Sequence, residues 1–267
     1  MSIRSQFIAK RSIGRSFALF AFVYLVQFKL MSYLPINKLN LPGNLDVYVY
    51  RSINMGISLF FIWLFLPGVL KRFRINLRGK TGLIVAVVLV YYFVLGFVDY
   101  RRQGLSFWQI IDGGIFALFI GLDEEFFDRG FVFGLLERWG TELALFGSAL
   151  IFGAEHFGNF LYGDESFNYV LGHMFAAGSF GYLMAALMLA FGNIWVPILV
   201  HGMVDFPWVL MDPNENTAIV TGNTNWYLIG LEVLKNVLIA RVLLYVMKKY
   251  DGQYGQIPIV KRLGLVE

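Results

Sequence analysis

The sequence predicts an all-α polytopic membrane protein: a bundle of eight transmembrane helices in a single domain over residues 1–267. Three observations predict it. The chain is 58% hydrophobic and only 15% charged, with a mean hydropathy of +0.63, where ordinary globular domains carry about 25% charged residues. A soluble protein has no means of covering so much apolar surface. Apolar runs recur along the whole chain at lengths near the roughly 20 residues that span a bilayer core. The positive charges gather between these runs rather than within them.

The first predicted helix covers about 16–34 and follows a basic start, MSIRSQFIAKRSIGR. No small-x-small cleavage site follows, so it reads as an uncleaved first span. After a loop with Pro35 and Pro42, the second helix covers about 47–70 and leads into a basic loop holding Lys71, Arg72, Arg74, Arg78 and Lys80. The third covers about 82–98, ended by Asp99, Arg101 and Arg102. The fourth, about 108–136, carries an unusual charged stretch. The fifth covers about 143–161, ended by GDES, and the sixth about 169–191. A Gly192-Asn193 turn leads to the seventh, about 194–209. Pro197 falls in its first turn, where a missing N–H is harmless, and Pro207 kinks or ends it just past Asp205. The loop MDPNENTAIVTGNTN precedes the eighth helix, about 227–247. Ala177, Gly181 and Ala185 recur every fourth residue on the sixth helix, a small-residue stripe that lets a neighbour pack closely.

Eight spans place both termini on one side, and the basic residues identify it. Arg4, Lys10, Arg11 and Arg15 precede the first span, the 2–3 loop holds five positives, and Lys248, Lys249, Lys261 and Arg262 follow the last. The opposite face has only Lys38, Arg51, Arg101 and Arg102. By the positive-inside rule both termini are cytoplasmic. The net charge of +4 is therefore topological and not the footprint of a nucleic-acid partner. With no cysteine, disulfides, thiolate metal sites and cysteine nucleophiles are excluded. The sequence leaves the oligomeric state open.

The chemistry concentrates in Gly121 to Gly134, GLDEEFFDRGFVFG, where Glu124, Glu125, Asp128 and Arg129 lie between apolar flanks. A charge at bilayer depth costs roughly 2.5–3.5 kcal/mol on insertion scales, so such residues are kept for use. Glu125 and Arg129 are four apart and can pair on one helix face. Glu124 and Asp128 fall on the adjacent face, which leaves one acid free to work as a base. Two further segments answer this one. His156 follows Phe152 by four in FGAEHF, with Glu155 beside it; His201 and Asp205 are one turn apart on the seventh helix, where a carboxylate orients an imidazole or shares a ligand with it. His173, with no acid at helical spacing, reads as structural or interfacial. There is no HExxH, no GxSxG and no GxGD.

These segments together resemble the CPBP family of membrane proteins, the CAAX proteases and bacteriocin-processing proteins also called Abi. That family shows EExxxR, FxxxH and HxxxN or HxxxD on separate helices of an eight-helix bundle. Here the motifs read Glu124-Glu125-Phe126-Phe127-Asp128-Arg129, Phe152-Gly153-Ala154-Glu155-His156 and His201-Gly202-Met203-Val204-Asp205. The likeness covers about 122–206, including the Gly-rich run and the Trp-x-Pro before the last motif, within motif-bearing helices 108–210. Glu155 is an unusual neighbour for the second-motif histidine, and Asp205 in place of Asn is typical of the bacterial branch. The resemblance implies an intramembrane endopeptidase in a bacterial cell membrane, hydrolysing a peptide bond in a peptide or membrane-protein substrate. Glu124 and His156 would activate water, Arg129 would hold Glu125, and His201 with Asp205 would stabilise the oxyanion or bind a metal. Zinc held by His156, His201 and Glu124 and a metal-free glutamate mechanism both satisfy these residue types. Two other classes use the same features: a non-catalytic membrane scaffold or immunity protein, and a proton-coupled transporter, the latter disfavoured by the lack of an inverted repeat.

Overall fold

In a computed structural model of the chain all the described secondary structure is helical. The structure describes residues 13–33, 45–74, 104–163 and 165–249, together with 87, 90, 91, 94 and 98. The longer helices are α1 (Ile13–Tyr33), α2 (Leu45–Phe65), α3 (Phe107–Glu125), α5 (Thr141–Glu155), α7 (Phe167–Phe191), α8 (Trp195–Val209) and α10 (Trp226–Lys249). Shorter ones are α4 (Phe133–Leu136), α6 (Gly158–Tyr162) and α9 (Pro213–Thr221). The predicted third helix lies outside the described residues except for those five positions.

Local chemistry sets the boundaries. Ser106 and Gln109 form a reciprocal capping box that starts α3: Ser106 Oγ accepts from the Gln109 amide at 3.2 Å, and Gln109 Oε1 accepts from the Ser106 amide at 2.8 Å. Ser166 caps α7 by accepting from the Tyr169 amide. At the other end Gly192 adopts φ 61°, and the Asn193 amide reaches back to the Met188 carbonyl at 3.2 Å, a left-handed helix stop that glycine takes without strain. Asn193 Oδ1 then accepts from the Trp195 amide at 2.8 Å and opens α8. Pro207 ends α8 two residues later.

Three expectations need correction. The fourth predicted helix is not continuous: between α3 and α4 the backbone widens into a π-helical segment, Phe126–Val132, in which the Phe133 amide bonds the Asp128 carbonyl. Insertions of this kind are frequent at functional sites. The fifth predicted helix breaks at His156–Phe157 into α5 and α6, and the loop before the last helix contains α9. Only α2 and α7 are long and apolar enough to cross a membrane among the described residues, with Gly14–Gln27 a shorter apolar helix. α5 and α8 have 15 residues each, about 22 Å at 1.5 Å per residue, which is less than the ~30 Å hydrocarbon core. The α3 run is interrupted by acids, and α10 carries Glu232, Lys235 and Arg241.

The bundle packs α7 at its centre, against α5, α8 and α10, while α3 lies along α8 and α2 covers the π segment. Phe131, Phe133, Leu145, Met184, Ile194 and Ile198 are fully buried between them. The outer surface is apolar as well: Trp108, Leu150 and Leu234 are 75%, 72% and 62% exposed. α3 and α8 meet at Gly121, where a Cβ would lie 2.7 Å from the Ile198 carbonyl oxygen and 3.2 Å from the Gly202 nitrogen. Both neighbours are backbone and have no rotamer by which to yield. Gly121→Ala is therefore expected to push α8 off α3 and lower stability by about 1–3 kcal/mol, read as a fall in the thermal midpoint of the purified protein.

Candidate active site

The site is assembled from α2, α3, the π segment, the end of α5, α7 and α8. Its sealed floor is the pair Glu125–Arg129. Arg129 Nε lies 3.1 Å from Glu125 Oε2, with both side chains fully buried. The contact is ionic rather than an aligned hydrogen bond, since neither Arg129 Nε nor Glu125 Oε2 has a hydrogen-bond partner of good geometry among the described residues. Asp128 adds a second acid, 3.8 Å from Arg129 Nη1 and equally sealed. The guanidinium stacks over Phe152 at 4.6 Å from the ring centre, a favourable place for a desolvated cation. Gly181 makes room for it: a Cβ there would stand 2.9 Å from Arg129 Nη2 and 2.9 Å from the Phe152 ring. The small-residue stripe on α7 thus accommodates the arginine and the phenylalanine beside it.

Above this floor Glu125 turns its other oxygen to His201, whose Nδ1–H donates to Glu125 Oε1 at 2.8 Å. The imidazole is 4% exposed and held edge-on by Phe152 and Phe180. A carboxylate at Nδ1 fixes the ring and its tautomer, so Nε2 becomes the working atom. It faces Glu124 Oε2 and Asp205 Oδ2, each at 3.5 Å. These two acids are the open part of the cluster, 28% and 25% exposed. The structure therefore brings Glu124, Glu125, Arg129, His201 and Asp205 into one contact network and divides them into a buried scaffold and an accessible rim.

His156 lies beside this network and not in it. It occupies the end of α5, where its Nδ1–H donates to the Phe152 carbonyl at 2.8 Å. That bond leaves Nε2 free to accept. Phe152 is in edge contact with both His156 and His201. Glu124 is within electrostatic reach of both histidines.

One residue was misplaced by sequence reasoning. Arg51, read as a charge of the outer face, lies within α2 and reaches the site, with Nη1 3.2 Å from Asp123 Oδ2 and 3.7 Å from Glu124 Oε1. Helical spacing relates residues of one helix only, so no pattern in the sequence joins residues 51 and 123. His173, read as structural or interfacial, sits with its ring 4.6 Å from that of His156 and its Nδ1 buried without a hydrogen-bond partner among the described residues.

The donor set bears on metal binding. Among the described residues no three His, Cys, Asp or Glu side chains are grouped to hold a metal ion. Glu124 and Asp205 converge on the same nitrogen of His201, while His156 is held at Nδ1 by the Phe152 carbonyl. His156, His201 and Glu124 are thus not assembled as a metal site among the described residues, and no step below passes through a metal.

Fold and site together define an all-helical protein with an acid- and histidine-rich centre sunk among apolar helices and open at one edge. Residues 106–207 match the family model described as type II CAAX prenyl endopeptidase Rce1-like, in line with the resemblance drawn from the three motifs, all of which fall inside that span. No curated protein and no solved structure matches the chain.

Proposed function

We propose that this protein is an intramembrane endopeptidase of the CPBP type in which Glu124 activates water against a peptide bond. The observation that carries this reading is the unequal exposure of the acids: Glu124 is 28% open while Glu125, one residue on, is fully buried against Arg129 and His201. A general base must reach both solvent and substrate, and a structural acid needs neither. Glu124 takes a proton from water, and the oxygen so activated attacks the scissile carbonyl carbon. The carbonyl oxygen gathers negative charge and accepts a hydrogen bond from Nε2–H of His201 in its imidazolium form, with Glu125 and Asp205 as counter-charges. His156, with Nε2 free, helps to hold the attacking water. Collapse of the tetrahedral intermediate breaks the C–N bond, and the proton on Glu124 passes to the departing amine.

The substrate is a peptide or membrane protein, and the surrounding medium is the bilayer. An apolar outer belt including Trp63, Trp108, Leu150 and Leu234 supports this, since exposed apolar area of that extent calls for a covering phase. The eight-span topology with both termini cytoplasmic rests on the terminal basic residues, because Arg51 is inside the bundle and Arg72 pairs with Glu137.

The test is proteolysis by the purified full-length protein in liposomes, offered prenylated peptides ending in a C-a-a-X sequence alongside unprenylated apolar peptides, with products read by mass spectrometry. Cleavage by the native protein and none by Glu124→Gln is expected; equal cleavage by both would remove Glu124 from the role. Hydrolysis is also expected to survive treatment with a strong chelator. Loss on chelation with recovery on added Zn²⁺ would replace this mechanism by a metal-dependent one.

A further inference from the structure

Arg51 stands outside the matched span 106–207 and outside all three motifs, yet its guanidinium touches the proposed base. We propose that Arg51 is a positioning residue for Glu124: it holds one carboxylate oxygen so that the other faces His201. The inference rests on the reading of Glu124 as the base.

The two oxygens of Glu124 are divided between two partners. Oε1 is 3.7 Å from Arg51 Nη1, and Oε2 is 3.5 Å from His201 Nε2. An exposed glutamate has free rotation about its terminal bonds; one fixed at both oxygens has a defined orientation, which is what proton abstraction needs. Arg51 is suited to the task because it is itself held. Its guanidinium donates to Asp123 at 3.2 Å and lies over the Phe116 ring at 5.8 Å. One turn earlier on α2, Tyr48 donates to Asp112 Oδ1 at 2.9 Å and packs edge-on against Phe116 and Phe119. These contacts lock α2 along α3 and set the depth at which the guanidinium arrives.

Charge arrangement points the same way. Asp123, Glu124, Glu125, Asp128 and Asp205 gather at one centre, and Arg129 is sealed beneath it against Glu125 and Asp128. Asp123 and Glu124 meet Arg51 instead. Partly exposed pairs of this kind contribute little to stability, so orientation is the effect to measure.

The full-length protein in liposomes is assayed on a farnesylated C-a-a-X peptide with Arg51→Gln, Arg51→Lys, Asp123→Asn and Glu124→Gln. Arg51→Gln is expected to lower kcat about 10–100-fold, the usual range for loss of a supporting partner, with KM unchanged. Arg51→Lys, which retains the charge, is expected to recover most of the loss. Asp123→Asn is expected to keep most of the activity, because asparagine retains an oxygen to accept from Arg51, which then still reaches Glu124. Native kcat in Arg51→Gln, or a change confined to KM, overturns the inference. So does an Asp123→Asn variant as impaired as Arg51→Gln, which would make the arginine a clamp between α2 and α3 and nothing more. If Arg51→Gln does not fold, Arg51→Lys and Asp123→Asn decide by the same criteria. Activity that persists in Glu124→Gln overturns the parent reading instead, so the two failures are told apart.

Discussion

Glu124→Gln is expected to lower kcat by about 10²–10⁴-fold, the range that a positioned general base supplies, while the protein expresses and melts as the native form does. The expectation follows from where the side chain lies. Glutamine has the shape of glutamate and loses the capacity to accept a proton. At 28% exposure its amide is partly solvated, and Arg51 keeps its contact with Asp123. The comparison with Glu125→Gln sharpens the test. Glu125 is fully buried, accepts from His201 and pairs with Arg129, so its amide variant is expected to lose thermal stability and activity together. A Glu124→Gln protein that keeps a large share of native kcat, or one that is as unstable as Glu125→Gln, would falsify the division of labour between the two adjacent acids.

Arg129→Ala is expected to be the most destabilising single change at the site, by about 3–5 kcal/mol, the penalty for removing one partner of a buried ion pair. Arg129 is fully buried and has two acids around it, Glu125 at 3.1 Å and Asp128 at 3.8 Å. Alanine leaves both without a counter-charge and opens a void over the Phe152 ring, on which the guanidinium now stacks. Yield in membranes and the thermal midpoint in detergent are the measurements. The double variant Glu125→Gln with Arg129→Met removes two of the three charges and fills the space, so it is expected to regain part of the stability without regaining activity. An Arg129→Ala protein with native yield and midpoint would show that the pair is not what holds the π segment in place.

The sequence had different reach for different parts of this molecule. The Glu125–Arg129 contact was legible because both residues belong to one stretch of helix, where four-residue spacing determines proximity. His201 and Asp205 were legible for the same reason. Their meeting with Glu125 and Glu124 was suggested only by the resemblance, since 76 residues separate His201 from Glu125. Arg51 was misread because its partners lie on another helix. The π segment was not legible either, since no residue pattern in Phe126–Val132 separates a π turn from an α turn.

What the sequence determined by itself was the class of the protein and the chemical types at its centre. Hydrophobic content, helix stop and start signals and charge placement are local properties, and Gly192, Ser106 and Ser166 act through neighbours a few residues away. What only the tertiary structure decided was which acid is open and which is sealed, and which guanidinium serves each. Glu124 and Glu125 are identical side chains on consecutive residues, so nothing local tells them apart. Successive residues of a helix point about 100° apart. That turn directs Glu125 into the packed face with Arg129, Phe152 and His201, and Glu124 to the edge where α2 delivers Arg51. The distinction between the sealed acid and the open one is thus made by packing, because burial depends on what the other helices place against each face.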